Sequence, residues 1–380
     1  MKKLFLINFL LAISTSMGMT LLPIVATESL GISLFVLGII EGVTEFFSNV
    51  LRLINGNLFD RITNKKFLFI TSVGAAFFSK SLLLVFLNKY SILASKMIER
   101  LANGAFASPR DAYVTTNAKR KGLTLGMLSS SKTLGCVIGT FIVSLSVVFF
   151  GSVTNNIFLL ILITCTITLI AMIISCYIKS PVESKKEVFD FKNVKQLLIE
   201  LFPIYSISFV FFLARFNDSV LMMFLKSQGF PEWFYLSTIS FFNIAMLISS
   251  PILGILIDNN YKNIVLFGTI ISLILFNMIF YNINSFPWTF ACLGLIFWGV
   301  QRTGAQIIFS YLVTQKILKT LNGTSIGILA IINAFGNLIS SSISGYFMQD
   351  SFFDVFIVTG LIASTALVLA MIYAIKISKS

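Results

Sequence analysis

The sequence predicts an all-α membrane protein with twelve transmembrane helices, arranged as two six-helix bundles. Three observations support this prediction. Apolar residues make up 57% of the 380-residue chain and charged residues only 11%, a composition that ordinary soluble domains do not show. The apolar residues fall into runs of about 20, the length that crosses a bilayer. Lysine and arginine concentrate in alternate loops, as they do in membrane proteins with one fixed orientation.

The apolar runs place six predicted helices in each half of the chain. The first six lie near 4–25, 33–55, 67–87, 92–114, 123–149 and 157–178, and the second six near 199–224, 233–257, 263–283, 287–313, 323–347 and 352–375. The longest polar stretch, from Lys179, carries Pro181 and mixed charges. The sequence therefore predicts an N-terminal bundle at 1–178, a cytoplasmic linker at 179–198 and a C-terminal bundle at 199–380.

The basic residues of the loops predict the orientation. Eighteen lie on the side shared by the two termini, and only Lys89 and Lys226 lie on the other. Because cytoplasmic loops retain positive charge, both termini are predicted in the cytoplasm of a bacterial inner-membrane protein. The first apolar run has the basic flank of a signal peptide, but it continues to about Val25 and is long enough to span. We therefore predict that it is the first helix.

Several classes of chemistry are disfavoured by what the composition lacks. The four cysteines form no CxxC pair, so no metal site is predicted. The net charge of +13 is explained by membrane orientation, so no nucleic-acid partner is predicted. Since the chain has no histidine, a proton relay at physiological pH would have to use Asp or Glu. We predict no enzymatic activity and no cofactor.

Apart from Glu200 and Asp354 at the starts of two spans, thirteen charged residues fall inside the predicted spans, where a charge at mid-bilayer costs about 2.5–3.5 kcal/mol on insertion scales. Eight are bases and five are acids. They are Arg52, Lys80, Lys96, Arg100, Arg110, Lys132, Arg215 and Arg302, with Glu41, Glu45, Glu99, Asp111 and Asp218. Such a number indicates interior faces lined with partners, water or a solute.

A motif follows the second predicted helix and recurs in the second half. Residues 56–66 read GNLFDRITNKK, and a degenerate copy, GILIDNNYK, begins 198 residues later at Gly254. The first copy resembles the loop signature G-x-L-x-D-R-x-G-R-[KR] of the major facilitator superfamily. Two copies at equivalent loops of two six-helix halves indicate a parallel repeat.

The resemblance implies the fold and mechanism of that superfamily. It implies two six-helix bundles with pseudo-two-fold symmetry, which alternate in access around a central site. It also implies a gating loop at the cytoplasmic side, assigned here to Gly56, Asp60, Arg61, Gly254 and Asp258. The alternative for Arg61 is that it only fixes the orientation of the chain.

The fourth predicted helix narrows the resemblance to one group within the superfamily. It carries R-x-x-x-G at 100–104 and P-R-D-A at 109–112, and the second helix carries E-G-x-x-E at 41–45. This combination is similar to a poorly characterised group of bacterial permeases, which brings no substrate assignment.

Glu41 and Glu45 lie one turn apart on the second predicted helix, so they share a face. Like charges that close favour a proton on one of them, which is what a proton-coupling carboxylate needs. The alternative is that they form ion pairs with Lys80, Lys96, Arg100 or Lys132.

Eight bases against five acids leave an excess of three positive charges inside the spans, which favours an anionic solute. Arg100, Lys132, Arg215 and Arg302 are the candidates to bind it, and Glu41, Glu45 or Asp218 the candidates for coupling. We therefore expect a secondary transporter of a small organic solute, coupled to an ion or a proton. It would act as a monomer in the lipid bilayer. Two alternatives stay open: a multidrug or metabolite exporter driven by proton antiport, and a membrane receptor or assembly factor that does not transport.

Overall fold

The fold is described from a computed structural model, which covers residues 2–61, 65–117, 121–178, 191–315 and 322–378. These residues are helical apart from short connections, and they contain no β-strand. The all-α prediction is confirmed.

In the described residues of the first part of the chain there are six long helices, one π-helical turn and one 3-10 turn, Val153–Asn156. The long helices are α1 (Lys2–Ile24), α2 (Leu34–Arg61), α3 (Lys65–Val85), α4 (Lys89–Asn117), α5 (Lys121–Phe150) and α6 (Ile157–Cys176). The π-helical turn, Val25–Ser29, extends α1 directly beyond Pro23. The helices agree with the six predicted spans, except that α2 continues through 56–61, where the motif was interpreted as a loop.

Among the residues described in the second part of the chain, eight α-helices follow, with a 3-10 turn at Ile283–Ser285. They are α7 (Phe191–Leu213), α8 (Asp218–Ser227), α9 (Glu232–Leu236), α10 (Thr238–Asp258), α11 (Lys262–Tyr281), α12 (Pro287–Gln315), α13 (Asn322–Asp350) and α14 (Phe352–Ser378). The prediction of one continuous seventh helix is wrong, because α7 ends at Leu213 and α8 begins at Asp218. The predicted eighth helix is likewise divided into α9 and α10.

Ten helical segments of the described chain are long and apolar enough to cross a membrane. The helices at the fourth and tenth predicted positions, α4 and α12, fall outside this set. Charged side chains interrupt the apolar run of α4, and Gln301, Arg302 and Gln306 interrupt that of α12. Polar residues lower the hydropathy of a helix that faces protein or water instead of lipid.

The chain divides into two compact units. Unit 1 holds the described residues of Met1–Ser33, Val43–Val188 and Lys226–Ser240, and unit 2 holds those of Leu34–Gly42, Phe189–Leu225 and Phe241–Ser380. The predicted boundaries of the bundles stay a prediction. Most of the predicted linker lies outside the described residues.

Aromatic rings contribute to the core of each unit. In unit 1, Phe69 meets Phe106 and Tyr113 edge-on, with centroids 5.8 and 6.1 Å apart. In unit 2, Trp298 lies against Phe216 and Phe276, at 5.0 and 4.6 Å. Such pairs add packing energy beyond the burial of their surface. The second cluster lies beside the interruption between α7 and α8.

Candidate functional site

The interruption between α7 and α8 has a local cause in the sequence. The Ala214 and Arg215 amides still donate to carbonyls of α7, at 3.0 and 3.3 Å. The side chain of Asn217 then accepts from the Ser219 amide at 3.1 Å, as a helix-capping residue does. Discontinuous membrane helices expose backbone groups and commonly mark solute or ion sites. Arg215, Asn217 and Asp218 therefore lie at a kind of position that can bind a solute or an ion.

Asp218 is the first residue of α8, and two side chains of α12 donate hydrogen bonds to it. Arg302 Nη1 lies 2.5 Å from both carboxylate oxygens of Asp218, and the Trp298 indole donates to Oδ1 at 3.1 Å. An acid in the first turn also interacts favourably with the helix dipole. The Asp218 side chain is 5% exposed, whereas that of Arg302 is 23% exposed. Asp218 is thus buried, whereas Arg302 is partly accessible to solvent.

Arg215 lies between aromatic rings at the same interruption. Its guanidinium carbon is 5.4 Å from the centroid of Phe212 and 5.7 Å from that of Trp298, within the range of cation–π attraction. Its carbonyl accepts a hydrogen bond from the Ser340 hydroxyl, and its charge also attracts Asp218. The two arginines predicted for solute binding in this part of the chain therefore converge on one carboxylate.

Glu41 belongs to unit 2, although it lies on α2. Its carboxylate is buried and accepts a hydrogen bond from the Ser219 hydroxyl at 2.9 Å. The start of α2 approaches α13 closely, because a Cβ atom on Gly42 would lie only 2.9 Å from the Cα atom of Leu338. Glycine permits this approach. Glu41 and the first turn of α8 therefore form one polar group inside unit 2.

Glu45, one turn further along α2, belongs to unit 1 and contacts Arg100. Arg100 Nη1 lies 3.6 Å from Glu45 Oε2, with side-chain exposures of 16% and 37%. Pairing with Arg100 was one of the alternatives that the sequence left open. The ion pair is long and partly exposed, so it holds both groups weakly.

The remaining predicted solute-binding base, Lys132, lies on α5, with an exposed side chain. Lys96 lies one turn before Arg100 on α4 and is buried. Both lysines belong to unit 1 and make further contacts. Residues four apart on a helix share a face, so Lys96 and Arg100 project from the same side of α4.

A second buried ion pair lies in unit 1 and was not predicted. Lys80 Nζ on α3 is 2.6 Å from Glu99 Oε2 on α4, and the two side chains are 2% and 7% exposed. Gly18 on α1 leaves room for the pair, since a Cβ there would lie 2.6 Å from Nζ. Lys80 was considered as a partner of Glu41 or Glu45, and Glu99 takes that place. Spacing along the sequence carried no signal for it.

The P-R-D-A motif forms a network at the other end of α4. Asp111 accepts from Arg52 of α2 at 3.0 Å and from Arg110 at 2.9 Å. Arg110 also donates to Asn8 of α1 at 2.7 Å, and Asn8 donates to the Leu128 carbonyl of α5. The motif residues therefore tie four helices of unit 1 together.

The predicted gating residues are described only in part. Gly56, Asp60 and Arg61 lie in the last turns of α2, but their side chains and residues 62–64 lie outside what the structure describes. Gly254 and Asp258 lie in the last turns of α10. A Cβ on Gly254 would meet no atom within 4 Å, and Asp258 is exposed. The gating role stays a prediction.

Trp298, Ser219 and Ser340 complete the site and were not among the predicted residues. Trp298 precedes Arg302 by four residues on α12, so their shared helix face was available as a signal. Ser219 and Ser340 had none, because a serine inside a membrane helix usually bonds its own backbone.

Comparisons with known proteins agree with this architecture. The family model described as Major Facilitator Superfamily matches residues 4–341. An uncharacterized MFS-type transporter of Methanocaldococcus jannaschii is 27% identical over 225 residues, which cover 59% of this chain and 55% of that protein. The match therefore spans about half of that relative's length.

Solved structures show the same fold at low sequence identity. A point mutant of the nucleoside transporter NupG has a TM-score of 0.82 at 14% identity, covering 97% of this chain and 98% of that one. A POT family transporter in complex with 5-aminolevulinic acid has a TM-score of 0.79 at 12% identity, covering 98% and 95%. At these identities the solved structures show the fold alone, and the family match over residues 4–341 shows the superfamily. The chain belongs to the Major Facilitator Superfamily.

Proposed function

We propose that the protein is a secondary transporter that moves a small organic anion by alternating access, coupled to an ion or a proton. The observation that carries this proposal is the distribution of charge inside the spans. Unit 1 holds six of the eight bases and three of the five acids, so it carries the whole excess of three positive charges. Of the same thirteen residues, unit 2 holds two bases and two acids.

An excess of positive charge inside the membrane is costly unless something compensates it. In unit 1 the acids already have basic partners: Glu99 contacts Lys80, Asp111 contacts Arg52 and Arg110, and Glu45 contacts Arg100. A bound anion would add negative charge to a unit in which these bases outnumber the acids. Arg100 is the main candidate to bind it, because its guanidinium is partly exposed and its ion pair with Glu45 is weak.

Coupling is assigned to Glu45, Glu41 and Asp218. Glu45 is the acid that a solute bound at Arg100 would meet first, since the two side chains are in contact. Glu41 and Asp218 are the second and third candidates, because both are buried and bound at the start of α8. A proton on any one of them would change the charge balance around the solute.

The test is uptake by proteoliposomes, with and without an inward proton gradient. The panel contains labelled organic anions, neutral solutes and cationic dyes. Selective accumulation of an anion would support the proposal if Arg100→Gln abolishes it and Arg100→Lys retains it. The surface control Lys262→Gln should also retain it. Dye movement that follows the gradient and ignores Arg100 would favour the exporter. If the protein transports none of the compounds, and if removing the charges inside its spans has no effect in cells, the receptor or assembly factor would be favoured.

The orientation and the gate belong to the same proposal. We place both termini in the cytoplasm of a bacterial inner membrane, with the permease group that shares P-R-D-A as the relatives of this chain. The gating residues would then face the cytoplasm, and the protein would work as a monomer.

The orientation is tested with Asp258→Cys in a background that lacks the four native cysteines. Asp258 is exposed at the end of α10, so a maleimide can reach a cysteine at this position. A maleimide that cannot cross the membrane should label this cysteine only after the cells are permeabilised. Labelling in intact cells would place the loop, and with it both termini, outside.

A further inference from the structure

Glu45 and Arg100 are held opposite each other by a close contact one turn further along their helices. Gly104 follows Arg100 by four residues, and Ser48 follows Glu45 by three. A Cβ atom on Gly104 would overlap the carbonyl oxygen of Ser48, so glycine lets the backbones of α4 and α2 approach each other here. The glycine of the R-x-x-x-G motif therefore places the arginine of the motif beside Glu45.

The contact between the two charged groups leaves the Glu45 carboxylate able to accept hydrogen bonds. Arg100 Nη1 is 3.6 Å from Glu45 Oε2, which is too far for a hydrogen bond. In the part of the chain that the structure describes, this is the only ion pair of Glu45, and no side chain donates a hydrogen bond to its carboxylate. An ionised carboxylate has about four acceptor positions. Arg100, in contrast, makes further contacts.

Both side chains are accessible although they lie on membrane helices. Glu45 is 37% exposed and Arg100 is 16% exposed, and Glu45 belongs to the apolar segment Leu34–Arg52. A charged group inside such a segment faces water or a solute instead of lipid. Because the two groups contact each other, a solute that reaches Arg100 also reaches Glu45.

An oxyanion that binds Arg100 comes close to the Glu45 carboxylate, because both negative groups then contact the same guanidinium. Two negative groups in a partly buried site disfavour each other. A hydrogen-bond donor on the solute relieves this repulsion when it lies between the two groups. A hydroxyl or ammonium group on the carbon next to the oxyanion has this position, and it can donate to Glu45 over an ordinary hydrogen-bond distance.

We propose that the solute carries a hydroxyl or an ammonium group on the carbon next to its oxyanion, as 2-hydroxy acids and 2-amino acids do. This inference rests on the proposed function and names the class of solute. Arg100 binds the oxyanion, because its guanidinium can pair with two oxygens at once. Glu45 accepts the hydrogen bond of the neighbouring donor. The site thus binds two adjacent groups of the solute, which one arginine by itself would not do.

The experiment compares compounds with one carbon skeleton that differ in this donor, using the purified full-length protein at fixed ionic strength. One series is propionate, lactate and alanine, and a second is succinate, malate and aspartate. A third is 3-phenylpropionate, 3-phenyllactate and phenylalanine, so the rest of the solute varies in size and charge. Binding is measured as the rise in the midpoint of heat-induced loss of the monodisperse peak in size exclusion, because a ligand that binds only the folded state raises this midpoint.

In at least one series, the hydroxy or amino member should half-saturate at a concentration about tenfold lower than the member without a donor, the effect of one hydrogen bond to a charged group. Tighter binding of the hydroxy member identifies an anionic solute, and tighter binding of the amino member a zwitterionic one.

Glu45→Met should weaken the binding of the donor-bearing member and strengthen that of the member without a donor, because the acceptor and the repelling charge are lost together. A purely structural role of Glu45 would weaken all members alike. Lys262→Gln is the control and should behave as the unchanged protein. If Glu45→Met does not fold, Glu45→Gln tests the same expectation with a smaller change, since its amide oxygen still accepts.

Equal binding by the members of every series would overturn the inference, and it is the result expected if a proton on Glu45 relieves the repulsion instead. The uptake panel would still decide the proposed function by itself. A preference that persists in Glu45→Met would also overturn the inference, because the donor would then be bound by another group. Binding with the expected preference but without any uptake would count against the proposed function alone.

Discussion

The two buried ion pairs, Lys80–Glu99 and Asp218–Arg302, differ in how many other groups hold them. Lys80 Nζ has Glu99 as its only polar contact among the described residues, and both side chains are almost fully buried. Asp218 has Arg302, the Trp298 indole and the charge of Arg215 around it, and Arg302 is partly exposed.

The difference separates an ion pair that only stabilises the fold from one that can exchange partners. A pair sealed from water cannot exchange its partner without leaving an unpaired buried ion, which is strongly unfavourable. A pair with an exposed member and extra hydrogen bonds can lose one contact and keep others. We therefore expect Lys80–Glu99 to hold α3 to α4, and Asp218–Arg302 to be able to change partners during transport.

Removing one member of the sealed pair should have the largest effect on stability. Glu99→Gln leaves the Lys80 ammonium without a counter-ion, and we expect a loss of about 3–5 kcal/mol in the free energy of unfolding. Unfolding in mixed micelles with increasing SDS measures it. The double variant Lys80→Met with Glu99→Gln should recover much of the loss, and a double variant no better than the single one would contradict the ion-pair explanation.

Asp218→Asn should cost less stability and more activity. The change removes the charge that Arg302 contacts but keeps an acceptor for Trp298, and Arg302 can turn to water. We expect a loss of about 2 kcal/mol, the size of one hydrogen bond to a charged group, with transport lost. The same unfolding assay and proteoliposome uptake measure the two effects. A loss as large as that of Glu99→Gln would remove the distinction between the pairs.

Gly18→Ala tests the space around the sealed pair and should have the smallest effect. The added methyl group would lie 2.6 Å from Lys80 Nζ, so the lysine must shift. We expect a loss near the lower end of the roughly 1–3 kcal/mol that overpacking costs. Gly254→Ala is the matched control, because that position is open and alanine favours a helix by up to about 1 kcal/mol. Equal effects of the two alanines would contradict this account.

The helices were largely predictable, because each apolar run had the length that a bilayer imposes. The end of α7 at Leu213 was not. The whole stretch Ile199–Ser227 is long and apolar enough to be one span, and the interruption depends on the Asn217 cap and on contacts of Arg215 and Asp218 with distant helices.

The site was predictable as a set of residue types but not as pairs. A charged residue inside a span stands out because it costs free energy in the bilayer, so these eight bases and five acids were identified from the sequence. Their partners were not, because Asp218 and Arg302 are 84 residues apart and Lys80 competes with other bases for each acid. Only the packing of the helices decides which base reaches which acid.

The position of Trp298 gives the protein a built-in optical probe. Trp233 and Trp288 are exposed, whereas Trp298 is fully buried between aromatic rings and donates its indole hydrogen to Asp218. With the two exposed tryptophans replaced by phenylalanine, the emission spectrum would come from a single indole beside the carboxylate. A shift of that emission to longer wavelength on adding a solute would show that water or the solute has reached Asp218, without any label on the protein.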